Sequence, residues 1–127
     1  METTPITTGL RGTASRTVTE ELTAAALGSG DVPVLGTPAV LAVIEEAACA
    51  AIAGSLGPGR TSVGVWVEME HLKPSALGAV VEATAELIAS DKRILEFTCE
   101  AREGDTLVAR ARHRRVVVDR ERFLGSI

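Results

Sequence analysis

The chain has 127 residues, a net charge of −4 and 46% hydrophobic residues, which is enough for one domain with a real core and too little for two. A pI near 5.2, with no basic stripe and no interleaved aromatics, excludes nucleic acid as a natural partner. Its three aromatics, Trp66, Phe97 and Phe123, make no stacking platform for bases.

Residues 1–11 are rich in Thr and Gly, have little to bury, and read as a loose N-terminal arm of a single 1–127 domain. No basic region precedes an apolar stretch there, so no secretory signal is expected. Cys49 and Cys99 lie in apolar segments without metal-ligand spacing and read as buried small hydrophobes in a reducing, cytoplasmic setting. The β-branched run Thr13–Thr19 favours a strand. Glu20–Leu27 suits a short helical turn with Thr19 as its cap, and Gly28–Pro33 is a glycine-bearing connector.

The stretch from Gly36 to Leu56 is punctuated like a helix. Thr37 is placed to cap it, Pro38 suits its first turn, and Gly54, Gly57 and Pro58 stop it. Its small and aliphatic positions predict enclosure by protein on most sides. At roughly 20 residues it is also long enough to span a bilayer. Glu45 and Glu46 at its centre argue against that, because two mid-bilayer carboxylates cost several kcal/mol. A buried helix in a protein with no membrane partner is the expectation.

Four strand-like runs follow. Thr61–Leu72 alternates Val63, Val65, Val67, Met69 and His71 against Ser62, Gly64, Trp66, Glu68 and Glu70. Ala79–Ala89 sets Val81, Ala83, Ala85 and Leu87 against Glu82, Thr84 and Glu86. Asp91-Lys92-Arg93 turns into Ile94–Arg102, and Glu103-Gly104-Asp105 turns into Leu107–Asp119. Arg120–Ile127 reads as a short polar tail. Helix and strands are segregated along the chain, so the class is α+β, with an antiparallel meander curved around one long helix. Exposed strand edges with Trp66 would invite pairing with a second copy.

Few groups here carry chemistry. His71 is one of two histidines and falls on the apolar face of its strand. Glu45 and Glu46 compete for the inward position, and helical phase alone does not choose between them. Thr37 is a good cap by composition, and its hydroxyl would also sit in the positive field of the helix N-terminus. Gly64 inside a strand marks a bulge or a close approach. Arg60, Lys73, Arg93, Arg110, Arg112, Arg114 and Arg115 read mostly as solvated faces that could meet phosphates. Histidines 42 positions apart give no metal pattern, and no Gly-x-Ser-x-Gly elbow, P-loop or dinucleotide fingerprint is present.

Several pieces in order resemble the hotdog fold of acyl-CoA thioesterases, and the fluoroacetyl-CoA thioesterase branch in particular. They are Thr37, Glu45 with Cys49, the run from Gly64 to His71, the turn Pro74-Ser75-Ala76-Leu77-Gly78, and His113-Arg114-Arg115 with the residues up to Phe123. That family's tryptophan after the glutamate is Glu46 here, and the connector before the helix lacks aromatic lid residues. The resemblance implies a hotdog fold, a homodimer or dimer of dimers with its site at the interface, and hydrolysis of a small acyl-CoA without cofactor or metal. It further implies Thr37, Glu45 and His71 as catalytic residues, with Gly64 and Arg115 contacting substrate. Thr37 would either attack the thioester or position it for water. A hotdog dehydratase is disfavoured because no histidine lies on the helix. A non-catalytic binder of acyl-CoA or another small ligand, or a structural dimerisation module, is the alternative from outside enzymology.

Overall fold

The computed structural model describes residues 6–127; the first five residues of the expected arm lie outside the described residues. Its strands are β1 (Arg11–Thr17), β2 (Arg60–His71), β3 (Val80–Asp91), β4 (Ile94–Glu103) and β5 (Thr106–Asp119). Its α-helices are α1 (Ala24–Leu27), α2 (Thr37–Ile52) and α3 (Arg120–Gly125). All strand pairs are antiparallel, in the order β1-β3-β4-β5-β2. The sheet curls around α2, as the α+β hotdog reading requires.

Strands β3 and β4 carry the core by simple alternation. Val81, Ala83, Ala85 and Leu87, the set expected on one face of β3, lie beside Leu95, Phe97, Cys99 and Ala101 on the buried side. Burial pushes the Cys99 thiol up to about 12, so it behaves as a small hydrophobe. The turns into β4 and β5 are two residues each, with Lys92 (φ 57°) and Gly104 (φ 57°) taking the left-handed conformation that tight hairpins need.

Helix α2 buries Ala39, Val40, Val43, Ile44, Ala47, Ala48, Ala51 and Ile52, adjacent pairs recurring every fourth residue. Ala42, Glu46 and Ala50 stay exposed. The expected enclosure on most sides is therefore corrected: among the described residues the helix is covered along one face only. By length and composition Thr37–Ser55 could cross a membrane, yet its buried stripe is seated on the sheet. It lies directly on β1, where a Cβ added to Gly12 would come within 2.3 Å of Ala47 O and Ala51 N. Only glycine allows that approach.

Other expectations are also corrected. Strand β1 runs from Arg11 to Thr17, and the segment before it is tied down by Gly9 N–H to Leu87 O (2.8 Å) and by packing of Ile6 and Leu10. Thr23, not Thr19, caps a helix: its hydroxyl accepts from Ala26 N–H at 3.2 Å. Asp119 caps α3 through Arg122 N–H at 2.9 Å, so the tail is helical. Most consequentially, β2 does not open the meander. It pairs with β5, and residues 72–79 then carry the chain past the start of α2 to meet β1, through Leu35 N–H to Ser75 O (2.9 Å) and Val18 N–H to Ala79 O (2.8 Å). Among the described residues, one edge of β2 has no partner strand, and Val65 and Val67 are exposed along this strand.

Candidate active site

The tip of α2 forms the first cluster. Gly36 is the N-cap residue, with extended backbone, and Thr37 is the first helical residue, so the threonine hydroxyl does not cap the helix. It meets Nδ1 of His71, the last residue of β2, at 2.8 Å. The other ring nitrogen, Nε2, is buried and has no hydrogen-bond partner among the described residues. Buried polar atoms are nearly always satisfied, and Ser75 Oγ is the other exception among the described residues. A cavity of about 280 Å³ opens here, walled by Val32, Leu35, Leu72 and Pro74, with Lys73 beside it.

Glu45 belongs to a second cluster, two turns further along α2 and about 12 Å from Thr37 at 1.5 Å per residue. Its neighbour Glu46 points the other way and pairs with Arg16 of β1 at the surface. That settles which glutamate turns toward β2. Glu45 Oε2 accepts from Arg115 Nη1–H at 3.0 Å and lies so close to Gly64 that a Cβ there would be 2.5 Å from it. His71 lies seven positions after Gly64, which in a regular strand would put them on opposite faces. The register shift between Gly64 and Trp66, opposite Arg115 and Arg114, inserts Val65 as a bulge and turns both residues toward α2. Gly64 is thus both the bulge marker and the close approach that a strand glycine suggests.

His113 completes this cluster, and the sequence reading missed it. It is 2% exposed, its Nδ1 is 2.8 Å from Trp66 O, and its Nε2 is 3.1 Å from Arg115 Nη1. A carbonyl only accepts, so Nδ1 carries the proton and Nε2 accepts from the guanidinium. Burial and the adjacent Arg115 charge hold its pKa below the ordinary 6.5. The ring is neutral, and its 3.5 Å approach to Glu45 Oε2 is a shared contact with Arg115, not an ion pair. Leu41, Val65 and Val67 border the open groove of about 340 Å³ over these groups.

Of the residues picked from sequence, Thr37 and His71 touch each other, whereas Glu45, Gly64 and Arg115 form a separate group in the same chain. Arg115 is 6% exposed and turned inward. Its Nε donates to Ser62 Oγ (2.8 Å) and its Nη2 to Ser62 O (3.1 Å), leaving it to orient Glu45 and not to face solvent as a phosphate ligand does. Arg110, Arg112 and Arg114 lie on the outer sheet face against Glu70 and Glu96, and Arg114 also covers Trp66. The described residues contain no group of three metal-type ligands.

Comparison with known proteins bears on the fold and the family. Residues 18–121 match the family described as FlK, fluoroacetyl-CoA-specific thioesterase. Over 94 residues the chain is 30% identical to the fluoroacetyl-CoA thioesterase of Streptantibioticus cattleyicolor, covering 74% of this chain and 68% of that one. A crystal structure of a single-residue FlK mutant superposes with a TM-score of 0.89 at 26% identity, across 97% of this chain and 96% of that one. A Thermus thermophilus thioesterase superfamily member does so with a TM-score of 0.88 at 25% identity, across 96% and 90%. Fold and relatives together define a hotdog-fold thioesterase, a hydrolase of the acyl-CoA class. Within that class the chain belongs to the fluoroacetyl-CoA-specific thioesterase family.

Proposed function

We propose that this protein hydrolyses a small acyl-CoA thioester at a site shared by two copies of the chain, with Thr37 and His71 from one and Glu45 with Gly64 from the other. The observation that carries the reading is the 2.8 Å contact between a helix-tip hydroxyl and a half-buried imidazole at the mouth of an open cavity. The acyl group would occupy that cavity. The Thr37 hydroxyl, in the positive field of the helix N-terminus, would donate to the developing oxyanion, with the Gly64 amide as a second donor. Glu45 would take a proton from water as its oxygen attacks the carbonyl carbon; the C–S bond then breaks and that proton passes to the departing sulfur.

The free edge of β2 supports the two-copy arrangement. Antiparallel pairing of β2 with itself lays the His71 end of one strand toward the Gly64 end of the other. A two-fold axis between them makes both sites equivalent. This supplies a glutamate to the Thr37–His71 pair that eight residues of helix deny it within one protomer. The protein would need no cofactor, coenzyme A entering only as part of the substrate, and would work as a cytoplasmic homodimer or dimer of dimers.

Thiol release from short, branched and aromatic acyl-CoA substrates tests the activity. Glu45→Ala and His71→Ala are each expected to lower kcat/KM by about 10²-fold or more. Equal mixing of these two inactive variants, with subunit exchange, is expected to restore about a quarter of wild-type activity. Half of the statistical dimers are mixed, and each carries one intact site. Binding of every acyl-CoA without thiol release overturns the hydrolase reading; variants that are inactive alone and stay inactive when exchanged overturn the shared site.

A further inference from the structure

The buried histidine of β5 is unused by the chemistry above, yet it sits on the group assigned as base. Resting on the reading of Glu45 as that base, we infer that His113 is a positioning residue: an Nε2 acceptor that sets the Arg115 guanidinium and thereby aims the Glu45 carboxylate at Gly64. Arg115 Nη1 carries two hydrogens, and they are divided, one to Glu45 Oε2 at 3.0 Å and one to His113 Nε2 at 3.1 Å. Ser62 takes the Nε hydrogen and one of those on Nη2. The guanidinium is planar and rigid, so these contacts fix its rotation and leave one oxygen of Glu45 free of Arg115.

The identity of the residue follows from what surrounds it. The charged groups facing the ring are Glu45 from α2 and Arg115 from β5; β2 contributes the Trp66 carbonyl and β4 the Phe97 ring, its centroid 6.3 Å away. Trp66 O fixes the Nδ1–H tautomer, so the lone pair on Nε2 points at the arginine. A protonated ring would oppose Arg115 and donate instead to Glu45, holding that carboxylate from two sides and lowering its basicity. Burial against Phe97 and the arginine charge both work against protonation. The Val65 bulge presents Gly64, and with it room for the carboxylate, at the strand position opposite Arg115.

The test compares His113→Phe, which keeps ring volume but accepts nothing, with His113→Gln, which restores an uncharged acceptor. His113→Phe is expected to lower kcat about 10-fold or more with KM within about twofold, and His113→Gln to recover most of that loss. In the wild type, 15N–1H correlation of the imidazoles should show a neutral Nδ1–H tautomer for His113 at pH 7, whatever the activity. Wild-type kcat in His113→Phe, equal loss in both variants, or the opposite tautomer overturns the inference. Glu45→Ala run in parallel separates the two levels. If it stays active, the assignment of Glu45 as base fails; if it is inactive while His113→Phe is normal, only the positioning role fails.

Discussion

Replacing Gly64 by alanine tests the second cluster through the sign of its effect. The backbone at Gly64 is not in the left-handed region, so alanine is acceptable there. Taken alone, removing a glycine from the unfolded chain stabilises a protein by about 0.4–1 kcal/mol. Against this stands the new methyl group, 2.5 Å from Glu45 Oε2, 3.2 Å from His113 Cε1 and 3.3 Å from Arg115 Nη1. The buried imidazole and the committed guanidinium have little room, so the carboxylate end of Glu45 must swing away and lose its charged hydrogen bond. Such a bond contributes about 1.5–3 kcal/mol, which outweighs the entropic gain. Gly64→Ala should therefore be net destabilising by about 1–2 kcal/mol in urea denaturation, and kcat should fall about 10–100-fold with the base displaced. In the Glu45→Ala background the same substitution should become neutral or stabilising, because the obstacle is gone. A Gly64→Ala protein as stable and as active as the wild type would refute the placement of Glu45 against this strand.

Gly12→Ala should be far more severe, since its methyl group would meet the backbone of α2, which cannot rotate aside as a side chain does. A loss of more than about 3 kcal/mol in urea, or failure to fold, is expected, and a mild effect would show that α2 does not lie on β1 as described. Stability should also depend on pH through His113. Its folded-state pKa lies below the ordinary 6.5 that it regains on unfolding, so its contribution is fully present above 6.5 and declines as pH falls below it. Thermal midpoints measured downward from pH 8 should show that decline beginning near 6.5, and His113→Gln should reduce it; an identical pH profile in the variant would show that the ring does not titrate as inferred.

Much of the fold was legible because β3 and β4 each bury one face and pair on both sides, so Val81–Leu87 and Leu95–Ala101 show the period of two undisturbed. The place of β2 was not legible. Tight turns link β3, β4 and β5, but nothing local specifies that β2 joins β5; that depends on residues 72–79 bridging to β1. The candidate site divided the same way. Thr37 and His71 could be nominated as residue types, with capping and chemistry both open to the Thr37 hydroxyl, and only the register of β2 brings the imidazole to it. Strict alternation set Gly64 opposite His71, and a single extra residue at Val65 reversed that. A bulge preserves the alternation on either side of itself, so the residues around it look regular in the sequence. His113 did leave a trace. The inward positions of β5 read Ala109, Ala111, His113, Arg115 and Val117, and a polar pair inside an apolar period has to be satisfied from elsewhere in the fold. The partner is Glu45, an acid whose place in an apolar helix is explained only when the strand facing it is known to carry a buried cation.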